Sequence, residues 1–335
     1  MITINDIARM ANVSKSTVSR VINNYPDVNE KTKKRIIKIM KENHYWPNTI
    51  ARSLTTNKSY TIGMFVPTHL NHFFFREVIE GIEFAFGEMG YDLLLFTNQQ
   101  MLKYDFDTGI KLNYLEQCLN KNVDGVIMLG FNMKNIERFN HLINSAVPTV
   151  FIDLNLSGSS SSYLMSNNFD GARQAVYYLN GLGHQKIAFF LGPEEVKPAQ
   201  ERLSGFQQAF RELQLDYRAE WIFREDYTYQ NGSKMMQKIL AMKNRPSVIF
   251  GQDIFAVGAI RALRAQGYSV PGDFSVMGFD NIEIAEHYNL TSVNQQQLEM
   301  GKKSAQLLLQ IINQEDFKPI VLPVEIVERN SCKRV

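Results

Sequence analysis

Two groups of residues in this 335-residue chain have types and spacings that could do chemistry. In the first, Ser14, Lys15, Ser16, Thr17, Ser19 and Arg20 bring hydroxyls, an ammonium and a guanidinium into one short segment. Small polar and basic groups on one helix face can enter a DNA major groove, where an arginine fork bonds bidentately to guanine. In the second, Asp153, Gln252 with Asp253, and Asp280 directly follow the apolar runs TVFI, VIFG and SVMGF. If those runs are parallel strands, these residues line a cleft, because ligands gather at the carboxyl ends of such strands. Asp153 and Asp280 could serve a carbohydrate enzyme as acid and base, or accept hydrogen bonds from ligand hydroxyls. No activated nucleophile, metal motif or phosphate loop accompanies them, so binding outweighs catalysis and no enzyme is expected.

The segment that presents Arg20 is residues 3–25, TINDIARMANVSKSTVSRVINNY. Thr3 and Asp6 fit a capping box, and Ile7, Met10 and Ala11 give a first helix its apolar face. A turn falls at Asn12 and Val13, Ser14 caps a second helix, and Val18, Val21 and Ile22 face inward. Asn29, Glu30 and Thr32 start a third helix reaching about Asn43, with Ile36, Ile37 and Met40 as its buried stripe and lysines around its polar side. This is a helix-turn-helix DNA reader. Residues 1–60 hold eleven Lys and Arg against four Asp and Glu, a net +7; the whole chain carries +2, which leaves −5 on the remainder. Positive charge is concentrated where phosphate would lie.

After Ser59 the pattern changes to short apolar runs alternating with helix-length segments, as in parallel sheets covered by helices. TIGMFVP, YDLLLFTN, DGVIMLG and PTVFID are expected strands of a first lobe, with helices at 74–89 and 111–120. Beyond SGSSSS, read as a surface loop, the unit repeats: a helix at 171–182, KIAFFLG, a helix through Phe206 and Leu213, SVIFGQD, a helix at 256–266, and FSVMGFD. A last helix at 298–312 and the strand IVLPVEIV follow, with crossings between lobes near Tyr163 and Asn294 that would make a hinge. The expected fold is an all-α head (1–46), a linker (47–60) and a bilobed α/β body (61–335). Lobe 1 takes about 61–163 and 296–322, and lobe 2 about 164–295 and 323–335. MITINDIARM is polar and no run of about 18 apolar residues occurs, so a cytoplasmic, nucleoid-associated protein without a membrane partner is expected. Cys118 and Cys332 lie far apart and form no CxxC or Cys/His cluster, so reduced thiols, no metal and no cofactor are expected.

Further detail comes from IARMANVSKSTVSRVIN, YWPNTIARSL, LGHQKIAFFLGP, ERLSGFQQA, SVMGFDN and LTSVNQQ. Through these ordered segments the chain resembles repressors of the LacI/GalR family over essentially its whole length. The resemblance implies a body similar to periplasmic sugar-binding proteins, a homodimer on an inverted-repeat operator, and a small sugar effector between the lobes. It assigns base reading to Lys15, Ser16 and Arg20, and phosphate contacts to Thr3, Ser14, Thr17, Asn23, Thr32 and Tyr45. It also implies a hinge helix that folds on operator DNA, with Ala51, Arg52 and Leu54 at the minor groove and Leu54 as the wedge. PNTIARSL is too short for a stable helix in water, which suits folding on binding, and a kinked duplex that gains protein contacts repays the wedge. The implied effector positions are Phe74, Phe75, Asp153, Asn168, Arg202, Tyr227, Asp253 and Asp280. Carboxylates and a guanidinium bind paired hydroxyls, while aromatic rings stack on a pyranose. Each position also has a structural alternative, as a strand-end turn, a partner for Arg202 or a core aromatic. Gln252 stands where the family often has asparagine, and NNFDG departs from a commoner pattern with aspartate, which leaves room for a different set of recognised hydroxyls.

The family also contains regulators controlled by a phosphorylated carrier protein, a sugar phosphate or a purine. A phosphosugar calls for more cation than Arg202 and Lys197 supply, so a neutral sugar or oligosaccharide is preferred. Four-chain members carry an added leucine-repeat helix; here LLLQII lacks heptads and the chain stops at Val335 soon after its last strand, so a dimer is expected. A transport receptor with the same body would carry an export signal and lack the head.

Overall fold

The structure, a computed structural model, describes residues 2–22, 25–45, 58–66, 73–96, 113–130 and 133–335. The chain divides into two compact units, Met1–Tyr60 and Thr61–Val335. The first holds α1 (Ile4–Met10), α2 (Lys15–Ile22) and α3 (Glu30–Glu42). Thr3 and Asp6 close the expected capping box, the Thr3 N–H donating to the Asp6 carboxylate at 3.0 Å. Asn12 turns the chain with a φ of +50°, a left-handed conformation that asparagine tolerates. Ser14 Oγ then accepts the Thr17 N–H at 3.1 Å, and Asn29 Oδ1 accepts the Lys31 N–H at 2.8 Å at the start of α3.

The three helices share a core of Ile7, Ala8, Ala11, Val18, Val21 and Ile36. Two stripe residues differ from expectation. Met10 is 51% exposed and Ala8 is buried in its stead; Ile37 is 37% exposed, while Ile39 and Met40 pack beside Ile36. Spacings of three and four keep one helix face, whereas Ile37 lies a full 100° round from Ile36.

In the second unit, lobe 1 contains β1 (Thr61–Phe65), α4 (Phe73–Glu88), β2 (Asp92–Phe96), α5 (Tyr114–Lys121), β3 (Gly125–Leu129), α6 (Asn140–Ile143), β4 (Thr149–Ile152) and β5 (Ser161–Ser166). Lobe 2 contains α7 (Asn168–Gly181), β6 (Ile187–Leu191), α8 (Lys197–Glu212), β7 (Ile222–Arg224), α9 (Tyr229–Leu240), β8 (Val248–Gly251), α10 (Asp253–Ala265), β9 (Ser275–Asp280), α11 (Glu283–His287) and β10 (Thr291–Asn294). The chain then returns to lobe 1 for α12 (Gln297–Ile312) and β11 (Ile320–Leu322), and ends its strands with β12 (Glu325–Val327) in lobe 2. The sheet orders are β11-β5-β4-β3-β1-β2 and β12-β10-β9-β8-β6-β7. Every pairing is parallel except β10 with β12, which is antiparallel at a sheet edge.

β5 pairs with β4 through Leu164 and with β11 through Ser166, so the first crossing follows Ser166 and Tyr163 belongs inside a lobe 1 strand. Ser161 and Ser162, expected in a surface loop, open that strand and are buried. IVLPVEIV is two strands, broken at Pro323, which has no N–H to give a ladder. α4 and α12 approach at glycines: a Cβ on Gly81 would lie 2.2 Å from the Leu298 carbonyl, and one on Gly301 would lie 2.1 Å from that of Val78. The lobes also touch directly. Ile282 and Ile284 of lobe 2 pack into the lobe 1 core, Phe73 meets Tyr229 edge to face at 5.6 Å, and Arg76 Nη2 lies 2.5 Å from Glu283 Oε2.

Candidate functional site

In the head, Val18 and Val21 occupy the inner face of α2, leaving Lys15, Ser16 and Arg20 exposed on the other side. Arg20 Nη1 pairs with Asp27 Oδ2 at 2.8 Å. Ser14 Oγ lies 2.7 Å from Ser16 Oγ and 2.8 Å from Thr17 Oγ1, so three hydroxyls gather at the start of α2, where free backbone N–H groups favour an anion. The Thr3 hydroxyl is engaged locally and donates to Asp6 Oδ2 at 2.7 Å. Thr32 is half-buried on the first turn of α3, and Tyr45 is half-buried against the three-helix core, where burial raises its phenol pKa. Asn23, Ala51, Arg52 and Leu54 lie outside the described residues.

In the body, Arg202 stands on α8 with its guanidinium buried and held on several edges. Its Nε donates to Asn168 Oδ1 at 2.7 Å, Nη2 lies 3.3 Å from Asp280 Oδ1, and the group sits 3.9 Å over the Phe279 ring. With its amide turned to satisfy both ends, Gln252 accepts from Arg202 Nη1 at 2.8 Å and donates to the Phe190 carbonyl at 3.0 Å. Asp280 ends β9 with a φ of +113° and accepts from Gln295 Nε2 at 2.6 Å; its carbonyl accepts from Gln297 Nε2. Burial raises its pKa to about 6 against the opposing pull of Arg202 and Gln295.

Asp153 follows β4 with a φ of +62°, is 8% exposed, and its Oδ1 has no hydrogen-bond partner among the described residues. Burial pushes its pKa up to about 7, with Arg202 opposing and Asp280 and Glu201 adding to the rise. Tyr227 precedes α9, stacks with Phe255 at 5.7 Å, and has its pKa raised by burial, Arg202 opposing and Asp280 and Asp153 adding. These mutual charge effects bring Asp153 of lobe 1 together with Arg202, Tyr227 and Asp280 of lobe 2, and the hydrogen bond from Arg202 adds Asn168. Lys197, the other cation weighed for the cleft, is paired with Glu201 at 3.6 Å.

Three further expected effector residues make structural contacts. Asp253 is fully buried on the first turn of α10; its Oδ2 accepts the Ile282 N–H at 2.8 Å and its Oδ1 accepts the Ser292 hydroxyl at 2.6 Å. Oδ2 thus fastens the loop that follows Asp280 directly, and Oδ1 does so through Ser292 of β10, whose hydroxyl accepts the Asn281 N–H at 3.1 Å; burial raises the carboxyl pKa well above the ordinary range. Phe74 and Phe75, on the first turn of α4, belong to the lobe 1 core, and the Phe75 ring lies 2.3 Å from where a Cβ on Gly130 would stand. Sequence reasoning missed Phe279, Gln295 and Gln297. Their signal was adjacency: Phe279 directly precedes Asp280, and the glutamines directly follow β10.

A basic helix-turn-helix unit and a two-lobed body with a buried cluster of charged groups drawn from both lobes define a DNA-binding protein that answers to a small ligand. Comparison with known proteins agrees. Residues 3–48 match the family described as bacterial regulatory proteins, lacI family, and residues 176–332 match the periplasmic binding protein-like domain. The chain is 33% identical to the HTH-type transcriptional repressor PurR of Mannheimia succiniciproducens over all of both proteins. It is 32% identical to the probable HTH-type transcriptional repressor ExuR of Bacillus subtilis, over 100% of this chain and 99% of that one. Among solved structures, a lac repressor dimer bound to operator and the anti-inducer ONPF matches with a TM-score of 0.84 at 27% identity, over 99% of each chain. A complex of the transcriptional regulator CelR with cellobiose matches with a TM-score of 0.71 at 29% identity, over 99% of this chain and 100% of that one. The chain belongs to the LacI family and is a DNA-binding transcriptional repressor with an effector-binding body.

Proposed function

We propose that this repressor controls a carbohydrate-utilisation operon, binding an inverted-repeat operator as a cytoplasmic homodimer, with operator affinity set by a neutral sugar or oligosaccharide in the cleft. The observation that carries the effector class is the buried Asp153 Oδ1, unpartnered beside Arg202 and Asp280. Sugar hydroxyls donate to the two carboxylates and accept from the guanidinium, whereas a phosphate or carboxylate ligand would meet both carboxylates with its own charge. The CelR complex with cellobiose is consistent with such a ligand. On DNA, Arg20 reads guanine beside Lys15 and Ser16, while Ser14, Thr17, Thr32 and Tyr45 hold the phosphate backbone. The effector spans both lobes, changes their relative orientation, and so changes whether the two hinge segments of a dimer pair on DNA.

Thermal unfolding against a panel of neutral sugars, oligosaccharides, sugar phosphates and purines tests the effector class. A ligand present at about 100 times its Kd adds roughly 2.7 kcal/mol of stability. A neutral sugar is expected to raise Tm in the wild type and to lose that effect in Asp153→Ala. A shift produced by sugar phosphates or purines alone would replace this reading.

A further inference from the structure

We infer that Asp27 is a positioning residue for base reading: its carboxylate holds the Arg20 guanidinium in the orientation that discriminates guanine. The inference rests on Arg20 being a base reader. Arg20 stands in the last turn of α2 and Asp27 in the loop before α3, joined by the 2.8 Å contact from Nη1 to Oδ2. The two side chains are 59% and 50% exposed, and an ion pair so open to water adds little to folding stability. Its effect is geometric. A guanidinium is a planar fork of five N–H donors, and engaging Nη1 leaves the Nη2 side of the fork to span the N7 and O6 acceptors of guanine. A free arginine gives up much rotamer freedom on docking; one already tied at Nη1 gives up less. The same carboxylate repels phosphate, so it lowers attraction of this helix edge to DNA of any sequence.

The two effects have opposite signs on non-specific and specific DNA, which separates positioning from damage. The test uses the full-length protein and an inverted repeat obtained by in vitro selection from random duplexes. Kd is measured at one salt concentration on that repeat, on single-base-pair variants of its half-site, and on unrelated duplex, for wild type, Asp27→Asn, Arg20→Ala and the double variant. Asp27→Asn is expected to keep or raise affinity for unrelated duplex while discrimination at one base pair falls by about threefold to tenfold. That base pair is the one whose discrimination Arg20→Ala abolishes, and Asp27→Asn has no further effect on discrimination in the Arg20→Ala background, where its gain in affinity for DNA of any sequence persists. Unchanged discrimination in Arg20→Ala would remove the base-reading assignment and this inference with it. If Arg20→Ala abolishes discrimination but Asp27→Asn leaves it intact, or lowers specific and non-specific affinity alike, base reading stands and the positioning role is overturned.

Discussion

Asp153 holds a proton in the folded chain that it would lose on unfolding, because its pKa rises from an ordinary 3.8 to about 7. Between these values the folded state binds more protons than the unfolded one, so stability falls as pH rises from about 4 to about 7. Asp280, raised to about 6, acts in the same direction over the lower part of that window. These two carboxyls therefore lower Tm between pH 5 and pH 8 in the ligand-free protein, against an opposite contribution from His184, whose pKa burial lowers. Asp153→Asn is expected to lose the fall that Asp153 causes, so its Tm difference between pH 5 and pH 8, measured by calorimetry, shifts upward at pH 8 relative to wild type. A sugar hydroxyl donating to the ionised carboxylate favours the charged form. Effector binding near pH 6.5 should accordingly release protons, read by titration calorimetry in two buffers of different ionisation enthalpy; proton uptake would contradict the assignment. Arg202→Ala leaves buried carboxylates without their cation and should cost about 3 kcal/mol at pH 8, and less at pH 5 where the carboxylates are protonated. At this scale, position after a strand was enough to place Asp153 and Asp280 at neighbouring strand ends. It could not separate Asp253 from them, because its partners, the Ile282 amide and the Ser292 hydroxyl, are distant in sequence.

Elements whose burial is uniformly apolar were the legible ones, such as IAFFL of β6 and VIFG of β8. β5 was hidden because Ser161, Ser162 and Ser166 are buried, and a serine run signals a turn when read without its sheet. α9 carries Gly232, Met235, Met236 and Ile239 on its buried face, a helical spacing obscured by the surrounding polar residues. Its Gly232 is required where a Cβ would stand 2.4 Å from the Phe255 carbonyl. The α4–α12 contact obeys the same constraint, so Gly301→Val should destabilise the body by about 1–3 kcal/mol through overpacking, measured by denaturant unfolding. If Leu54 is the wedge that the family resemblance implies, Leu54→Ala weakens operator binding far more than binding to unrelated duplex; an equal loss on both would remove that role.

In the molecule as a whole, the cleft takes Asp153 from one lobe and Arg202 and Asp280 from the other. Arg76 with Glu283, Phe73 with Tyr229, and Ile282 in the lobe 1 core join the same two lobes. A ligand that binds both sides favours one arrangement of the lobes over others, which is the differential affinity that allostery requires. Because DNA must favour one arrangement as well, coupling between effector and operator is reciprocal. The most direct test is operator affinity by fluorescence anisotropy at fixed salt, with and without the sugar that raises Tm, on the selected inverted repeat. The account predicts that saturating sugar changes operator Kd by about 5-fold to 150-fold. A sugar that binds the cleft while operator Kd stays the same would contradict it.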